Sequence, residues 1–264
     1  MDFASLSGAT PFLLAAQLGL VDVAKALKAI TEIPKRGCDK AIAKVSQRGH
    51  EDTVTYLLDL CLPLEGEACD LSEAVRHASA HGYENIDTKI LEHAKSQKVL
   101  DLLSLDALIC QAALFGYESQ TKLFLQYGAD VNTVMNQRTP LQYAVENGHA
   151  SVVHYLLEVG KADVDSTAEA ETDAPILLAV SKGYEAVVED LLVFGADTAV
   201  RTRQPQHGPE GVVHLPEALH IAIWDREAAF AEMILDIFYT KATGAVLEDL
   251  SAVLLDSRRD VPRS

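Results

Sequence analysis

The side chains best suited to chemistry are two histidines, His77 and His81, and one carboxylate, Glu146. The histidines are four residues apart, so on a helix both imidazoles face one side and could hold a single metal ion. No third Cys, His or carboxylate follows at a diagnostic spacing, so the sequence predicts no metal site and two polar surface residues. His81 and Glu146, if they faced one groove, could instead transfer a proton on a bound ligand.

Motifs for nucleophilic, phosphoryl-transfer or nucleotide-dependent catalysis are absent from the sequence. It contains no Gly-x-Ser-x-Gly, no phosphate-binding loop, no dinucleotide fingerprint and no kinase signature. The sequence therefore predicts no cofactor. An enzyme built on this chain would be a cofactor-free isomerase or cyclase that acts by shape and one acid–base group.

Composition and charge indicate a folded, acidic chain. Its 264 residues include 22 Lys and Arg against 39 Asp and Glu, a net charge of −17, and 48% are hydrophobic, which suffices for a substantial core. Such a field repels nucleic acid and anionic membrane surfaces, and we identify no basic stripe in the sequence that would offset it. No apolar run approaches the roughly 18 residues that span a bilayer. We expect neither nucleic acid nor membrane as a partner.

Cysteine usage and the N-terminus indicate the compartment. The four cysteines are Cys38, Cys61, Cys69 and Cys110. They include no Cys-x-x-Cys and are too few for a disulfide scaffold, so we expect reduced thiols. The opening Met1-Asp2-Phe3-Ala4 has no basic segment before an apolar stretch, unlike a secretory signal. These features favour a cytoplasmic protein, with the nucleus as the alternative.

A repeat of about 33 residues must position the chemical groups. A pair of small residues, separated by two residues from a Gly or its substitute, recurs along the chain; Ala112-Ala113 before Gly116 is a clear copy. Its anchors stand at positions 19, 49, 82, 116, 148, 183 and 226. An apolar pair such as Leu156-Leu157 follows eight and nine residues after six of the seven anchors. The spacing predicts a short helix, a left-handed turn at Gly, and a second helix with one buried stripe.

Short motifs stand at fixed places within the repeat. Thr10-Pro11-Phe12-Leu13 and Thr139-Pro140-Leu141-Gln142 open two helices, Gly148-His149 follows one, and the hairpin Tyr127-Gly128-Ala129-Asp130-Val131-Asn132 precedes another. These motifs resemble those of the ankyrin-repeat family, which uses Thr-Pro-Leu-His, Gly-His and a Gly-Ala-Asp hairpin. The resemblance covers nearly the entire chain.

The resemblance implies an all-α fold, an ankyrin-repeat solenoid of about seven helix-turn-helix repeats with short hairpin tips. We expect one array over residues 1–264, closed by a C-terminal capping helix at 245–255. The repeats are placed at 8–37, 38–70, 71–104, 105–136, 137–171, 172–214 and 215–244.

In ankyrin-like proteins one face of the inner helices lines a concave groove, so the resemblance implies a groove here. The residue before each small pair and the two before each Gly share this face, because they lie at i, i+3 and i+4. From these positions we select as candidate binding residues His77, His81, Gln111, Leu114, Phe115, Tyr143, Glu146, Asn147, Lys182 and Trp224.

The apolar members of this set are informative, because positions that are merely solvated are usually polar. They are Leu114, Phe115, Tyr143 and the only tryptophan, Trp224. An exposed apolar patch tends to mark a binding site. The sequence therefore predicts an intracellular module that binds a protein or peptide in its groove.

Three alternatives stay open from the residues alone. Strong curvature, or the loop at 198–216, could cover these side chains as ordinary core. The groove could bind an apolar small molecule, as a carrier or as a cofactor-free isomerase or cyclase. The chain could also be a scaffold fragment of a longer protein.

Overall fold

The computed structural model describes residues 10–30, 38–60, 70–167 and 174–197. The chain divides into two compact units, residues 1–162 and residues 163–264. In the described residues the regular structure is helical, apart from one isolated β-bridge between Met135 and Arg138. The predicted seventh repeat, the capping helix at 245–255 and the loop at 198–216 lie outside the described residues.

Each described helix pair flanks one of the predicted Gly anchors. In the first unit the helices are α1 Pro11–Gln17, α2 Val21–Ile30, α3 Cys38–Gln47, α4 Glu51–Leu60, α5 Ser72–Ala80, α6 Glu84–Ser96, α7 Leu105–Phe115, α8 Glu118–Gln126, α9 Pro140–Glu146 and α10 Ala150–Glu158, with a 3-10 turn at Leu100–Leu102. The second unit contributes α11 Pro175–Lys182 and α12 Glu185–Val193. The all-α fold and the helix-turn-helix repeat are confirmed.

The first unit has two layers of helices. The odd-numbered helices α1, α3, α5, α7 and α9 pack one against the next and form what we term the inner layer; the even-numbered helices α2 to α10 form the outer layer. Each odd helix also packs against the even helix that follows it. The small residues predicted to allow close packing are fully buried, as Ala112 and Ala113 of α7 show. The apolar pairs of the outer layer are buried as well, as Leu156-Leu157 show, except that Leu125 beside Phe124 is half-buried.

The helix starts follow the predicted signals. Pro11, Pro140 and Pro175 each occupy the first helical turn, where a missing N–H leaves no hydrogen bond unmade. The N–H of Gln142 donates to Oγ1 of Thr139 over 3.3 Å, and the Thr139 N–H donates back to Oε1 of Gln142 over 3.0 Å. This reciprocal cap fixes the first turn of α9.

The Gly that ends an inner helix also receives a ring from the next repeat. At Gly116, with φ of +74°, an added Cβ would lie 2.5 Å from Nδ1 of His149. The same contact recurs between Gly19 and His50, Gly49 and Tyr83, and Gly82 and Tyr117. Nε2 of His149 additionally donates to the Leu114 carbonyl over 3.0 Å. Only a residue without a side chain leaves room for the ring, so this contact ties each repeat to the next.

In the second unit, α11 ends at Gly183, and α12 buries Val187, Val188, Leu191 and Leu192. The Asp197 N–H donates to the carboxylate of Asp165 over 2.8 Å. In the first unit the Asp130 N–H donates to the carboxylate of Asp106, in the first turn of α7, over 2.8 Å. An Asp carboxylate thus holds the loop at Asp197 to the preceding loop, and another holds the hairpin at Asp130 to α7 of its own repeat.

One acidic side chain is buried between outer helices. Asp87 of α6 is inaccessible to solvent, and its Oδ2 accepts a hydrogen bond from Nε2 of Gln120 in α8. Burial, reinforced by nearby Glu84 and opposed by the Gln120 hydrogen bond, raises the pKa of Asp87 to about 8. Oδ1 of Asp87 and Oε1 of Gln120 are both buried without a partner among the described residues. A protonated carboxyl leaves no charge on the unpartnered Oδ1, so the neutral acid fits this site better than the carboxylate.

The ring contact predicts an unequal cost for two Gly→Ala changes. Gly116→Ala should lower the free energy of unfolding by about 2–4 kcal/mol, because it adds a clash with His149 to the strain of a positive φ. Gly128→Ala is the control: its φ is +98° but nothing lies within 4 Å of its Cβ position. That change should cost about 1 kcal/mol. Urea unfolding measures both, and equal costs would show that the ring contact contributes nothing.

The buried carboxyl predicts a pH dependence. The folded state keeps the Asp87 proton where the unfolded state, with a pKa near 4, has lost it. The free energy of unfolding should therefore fall as pH rises from about 4 to about 8, by up to about 1.4 kcal/mol per pH unit. Asp87→Asn cannot ionise and can still accept the Gln120 hydrogen bond through its amide oxygen, so its unfolding free energy should exceed that of the wild type most at about pH 8.

The control for this prediction is Asp52→Asn, which alters an exposed carboxylate on α4. Chemical unfolding of the three proteins at about pH 5.5 and about pH 8.5 gives the comparison. Of the two variants, only Asp87→Asn should have a higher free energy of unfolding, relative to the wild type, at about pH 8.5 than at about pH 5.5. Parallel profiles for wild type and Asp87→Asn would mean that Asp87 is ionised in the folded protein.

Candidate binding face

The exposed side of the inner layer carries the predicted groove positions. We term it the inner face, and it comprises Leu14, Gln17, Leu18, Lys44, Gln47, Arg48, His77, Ala80, His81, Gln111, Leu114, Phe115, Glu146 and Asn147, each exposed or half-buried. The small pair of each helix points the opposite way, into the core. At the positions named, the side of the helices indicated by the i, i+3, i+4 spacing meets solvent, whereas Tyr143 of α9 is buried.

Phe115 is the most prominent aromatic side chain on this face. It is the last residue of α7, and 46% of it is exposed. Its ring centroid lies 5.7 Å from that of Tyr117, with the planes tilted by 32°. Tyr117 in turn packs on Gly82, and Gly116 receives His149. Phe115 is thus exposed, and its ring lies beside that of Tyr117.

The two histidines do not form a metal clip. Nδ1 of His81 donates to the His77 carbonyl over 2.9 Å, and the His81 ring stacks on Tyr83 with centroids 5.7 Å apart. The His81 imidazole is thereby directed at its own helix end and at the adjacent turn. Within residues 10–30, 38–60, 70–167 and 174–197, no three His, Cys, Asp or Glu side chains are grouped to hold a metal ion.

Tyr143 differs from the prediction of an exposed groove residue, which is wrong on this point. Its side chain is buried, and its hydroxyl donates to the Met135 carbonyl over 2.9 Å. Met135 and Arg138 close a hairpin tip in which Asn136 and Gln137 both have positive φ, of 50° and 63°. Tyr143 therefore anchors this tip to α9. The helical periodicity of the sequence does not show that the Met135 carbonyl of this tip needs a hydrogen-bond donor.

The polar groups of α9 are also engaged. The carboxylate of Glu146 forms an ion pair with Arg138 of the hairpin tip. Nδ2 of Asn147 donates to the Tyr143 carbonyl over 2.8 Å. Helix α7 packs between α5, which carries His77, and α9. The structure thus pairs Glu146 with Arg138, and it does not support the predicted Glu146–His81 acid–base pair.

A basic stripe, which we did not identify in the sequence, lies on α3. Lys40, Lys44 and Arg48 are exposed at i, i+4 and i+8, so they lie along one side of the helix. Nη1 of Arg48 donates to the Gln17 carbonyl at the end of α1, over 2.6 Å. Neighbouring Leu14 and Leu18 of α1 are 46% and 59% exposed. Testing for charge at helical spacing would have found the stripe.

The sequence comparison agrees with this geometry. Residues 109–202 match the family described as ankyrin repeats, in three copies. These residues are ankyrin repeats. The predicted family is confirmed over this part of the chain, and ankyrin repeats generally serve as modules for protein–protein interaction.

Two known proteins show how far the likeness extends. The Nuclear factor NF-kappa-B p105 subunit of Gallus gallus is 33% identical over 132 residues, which cover 48% of this chain and only 13% of that protein's length. The crystal structure of the human ASB11 ankyrin repeat domain covers 81% of this chain and 97% of its own, with a TM-score of 0.60. At 20% sequence identity, the second likeness shows the fold alone.

The remaining predicted positions of the ankyrin repeats have separate outcomes. Lys182 is exposed at the end of α11, in the second unit. Trp224 lies outside the described residues.

Among the helices that the structure describes, none has the length and apolar character to cross a membrane. Burial raises the pKa of the Cys110 thiol to about 12, so this cysteine stays protonated inside α7 and is a poor nucleophile.

The role of Tyr143 predicts a stability effect. Tyr143→Phe removes the donor to Met135 and should lower the free energy of unfolding by about 1 kcal/mol. Tyr83→Phe is the control, because its hydroxyl makes no hydrogen bond within the described ranges while its ring packs on Gly49. Urea denaturation compares the two variants with wild type. If Tyr143→Phe lowers the free energy of unfolding by no more than Tyr83→Phe does, the Tyr143 hydroxyl does not anchor the hairpin tip.

Proposed function

We propose that this chain is a binding module whose inner face recognises a protein or peptide, with Phe115 as the main anchor. The exposure of Phe115 supports the proposal most strongly. An aromatic ring that is 46% exposed offers a large apolar surface to a partner, and such rings often dominate the binding energy of an interface. Half-buried Leu114 and Gln111 of the same helix provide an apolar and a polar contact beside it.

The dimensions of the inner face suit a polypeptide. It runs from Leu14 on α1 to Asn147 on α9, across five helices that pack in succession. Adjacent packed helices lie about 8–10 Å apart, so the face extends over roughly 30–40 Å. An extended peptide of about 12 residues has the same length. A small molecule would contact only one or two of these helices.

The small-molecule alternative required a pocket near Phe115 and Tyr143, and the catalytic alternative required Glu146 with His81. Tyr143 is buried with its hydroxyl donated to Met135, so its ring is not available as the wall of a pocket. The carboxylate of Glu146 forms an ion pair with Arg138 of the hairpin tip. Neither observation favours these alternatives, whereas exposed Phe115 favours polypeptide binding.

The proposal predicts the effect of truncating Phe115. Random peptides of about 12 residues are displayed and selected on the wild-type protein, and the affinity of the selected peptides is measured by fluorescence anisotropy. Phe115→Ala should weaken binding about 30-fold, which corresponds to about 2 kcal/mol for a central aromatic contact.

The control removes an apolar side chain elsewhere in the same unit. Val159, which follows α10 of the outer layer, is 54% exposed. Val159→Ala should leave the affinity within about twofold of wild type, as expected for a residue outside the interface. If selected peptides bind Phe115→Ala and wild type equally well, the inner face is not the binding surface.

A further inference from the structure

We propose that the inner face selects polypeptide segments in which carboxylate side chains lie a short distance from an apolar anchor. The basic stripe of Lys40, Lys44 and Arg48 on α3 would bind the carboxylates, and Phe115 on α7 the apolar side chain. This inference rests on the proposed function and adds the chemistry of the partner.

The stripe is unusual among the described residues because it groups three cations on one side of a helix without an acidic partner. Lys40 and Lys44 form no ion pair with any residue that the structure describes. Arg48 uses one N–H on the Gln17 carbonyl and retains further donors. Three adjacent cations without a carboxylate partner form a local positive site on a chain of net charge −17.

Most other described cations are already engaged. Arg76 pairs with Glu73, Lys89 with Glu51, Lys122 with Glu118 and Arg138 with Glu146. Lys25 and Lys28 lie over the ring of Tyr56, and Lys95 lies over that of Tyr127. The contrast indicates that α3 presents positive charge for an external acceptor.

The surroundings of the stripe are mostly apolar or imidazole side chains. The adjacent groove positions are exposed Leu14 and Leu18, and His77 and His81. One acid, Glu73 of α5, stands at the position equivalent to Lys40, 33 residues further on, and it is paired with Arg76 over 3.6 Å. Asp39 precedes Lys40 and therefore projects about 100° around the helix from it. Carboxylates of a partner would thus meet cations, imidazoles and apolar side chains.

The helix spacing gives the expected pattern in the partner. Helices α3, α5 and α7 pack in succession, so two interhelical distances of about 8–10 Å separate the stripe from Phe115. An extended chain covers this distance in about five or six residues, at about 3.3 Å each. We therefore expect Asp or Glu about five or six residues from an aromatic or aliphatic side chain.

A polypeptide fits the stripe better than nucleic acid does. Strong binding to a phosphate backbone takes about six to ten cationic contacts, and the stripe offers three on a chain of net charge −17. Exposed Leu14, Leu18 and Phe115 on the same face provide apolar contacts that a phosphate backbone cannot use.

Charge reversal at the two lysines tests the inference. The variant is Lys40→Glu with Lys44→Glu, which leaves the contact of Arg48 with α1 intact. The control is Lys98→Glu with Lys161→Glu, which changes the net charge equally at exposed positions following α6 and α10. Peptides selected on wild type are sequenced, and their affinities for both variants are measured by fluorescence anisotropy. Unfolding midpoints verify that the variants are folded.

The expected result has three parts. The selected peptides are enriched in Asp and Glu about five or six residues from an apolar residue. Their affinity falls on the order of tenfold for Lys40→Glu/Lys44→Glu and within about twofold for the control pair. Should charge reversal unfold the protein, Lys40→Gln/Lys44→Gln replaces it, and its expected loss is smaller but in the same direction.

Other outcomes separate this inference from the proposed function. Peptides that depend on Phe115 but show no acidic enrichment would refute the inference and leave the binding face intact. A selection without any Phe115-dependent peptide would contradict both. A third arm uses vesicles of phosphatidylserine and phosphatidylcholine. Vesicle binding that requires Lys40 and Lys44, without acidic peptides, would assign the stripe to a lipid surface and overturn the choice of a polypeptide.

Discussion

The packing of an imidazole or phenol ring onto a glycine of the preceding repeat is the contact on which the first unit depends. At each of these turns the glycine both ends a helix and makes room for the ring, as Gly116 illustrates. Its positive φ ends α7, and its missing side chain leaves the space that His149 fills. The contact recurs at each of the turns after α1, α3, α5 and α7. The distance between successive inner helices, and with it the spacing of side chains on the inner face, is therefore fixed by backbone-to-ring contacts.

This arrangement leaves the two layers with different tasks. The outer layer joins repeats through long polar side chains, as where Lys122 of α8 pairs with Glu118 and lies over Tyr155 of α10. Such exposed pairs contribute little energy individually, but they engage lysines that would otherwise face solvent. On the inner layer, the small residues needed for close packing point inward. The opposite positions are therefore not required for packing, and they carry Phe115, the histidines and the basic stripe.

The features predicted from the sequence were those with local causes. The Gly anchors, the Thr139 cap and the buried apolar pairs each depend on a few neighbouring residues and one period, and all are present in the described repeats. The incorrect predictions concern long side chains that contact residues outside their own helix. Tyr143 and Glu146 contact the hairpin tip at Met135 and Arg138, whose geometry has no helical period. Periodicity shows which side of a helix is exposed, but it does not show which exposed groups are already bonded.

The distribution of charge has a consequence for selectivity. An acidic segment approaches a chain of net charge −17, so repulsion over about 8–10 Å slows its association and disfavours contact with most of the surface. Only where cations cluster without carboxylate partners, as on α3, does the short-range interaction become favourable. Salt screens both effects, weakening the repulsion during approach and the attraction in the complex. A partner held by charge alone would be bound weakly, so the exposed ring of Phe115 must supply affinity while the stripe on α3 supplies discrimination.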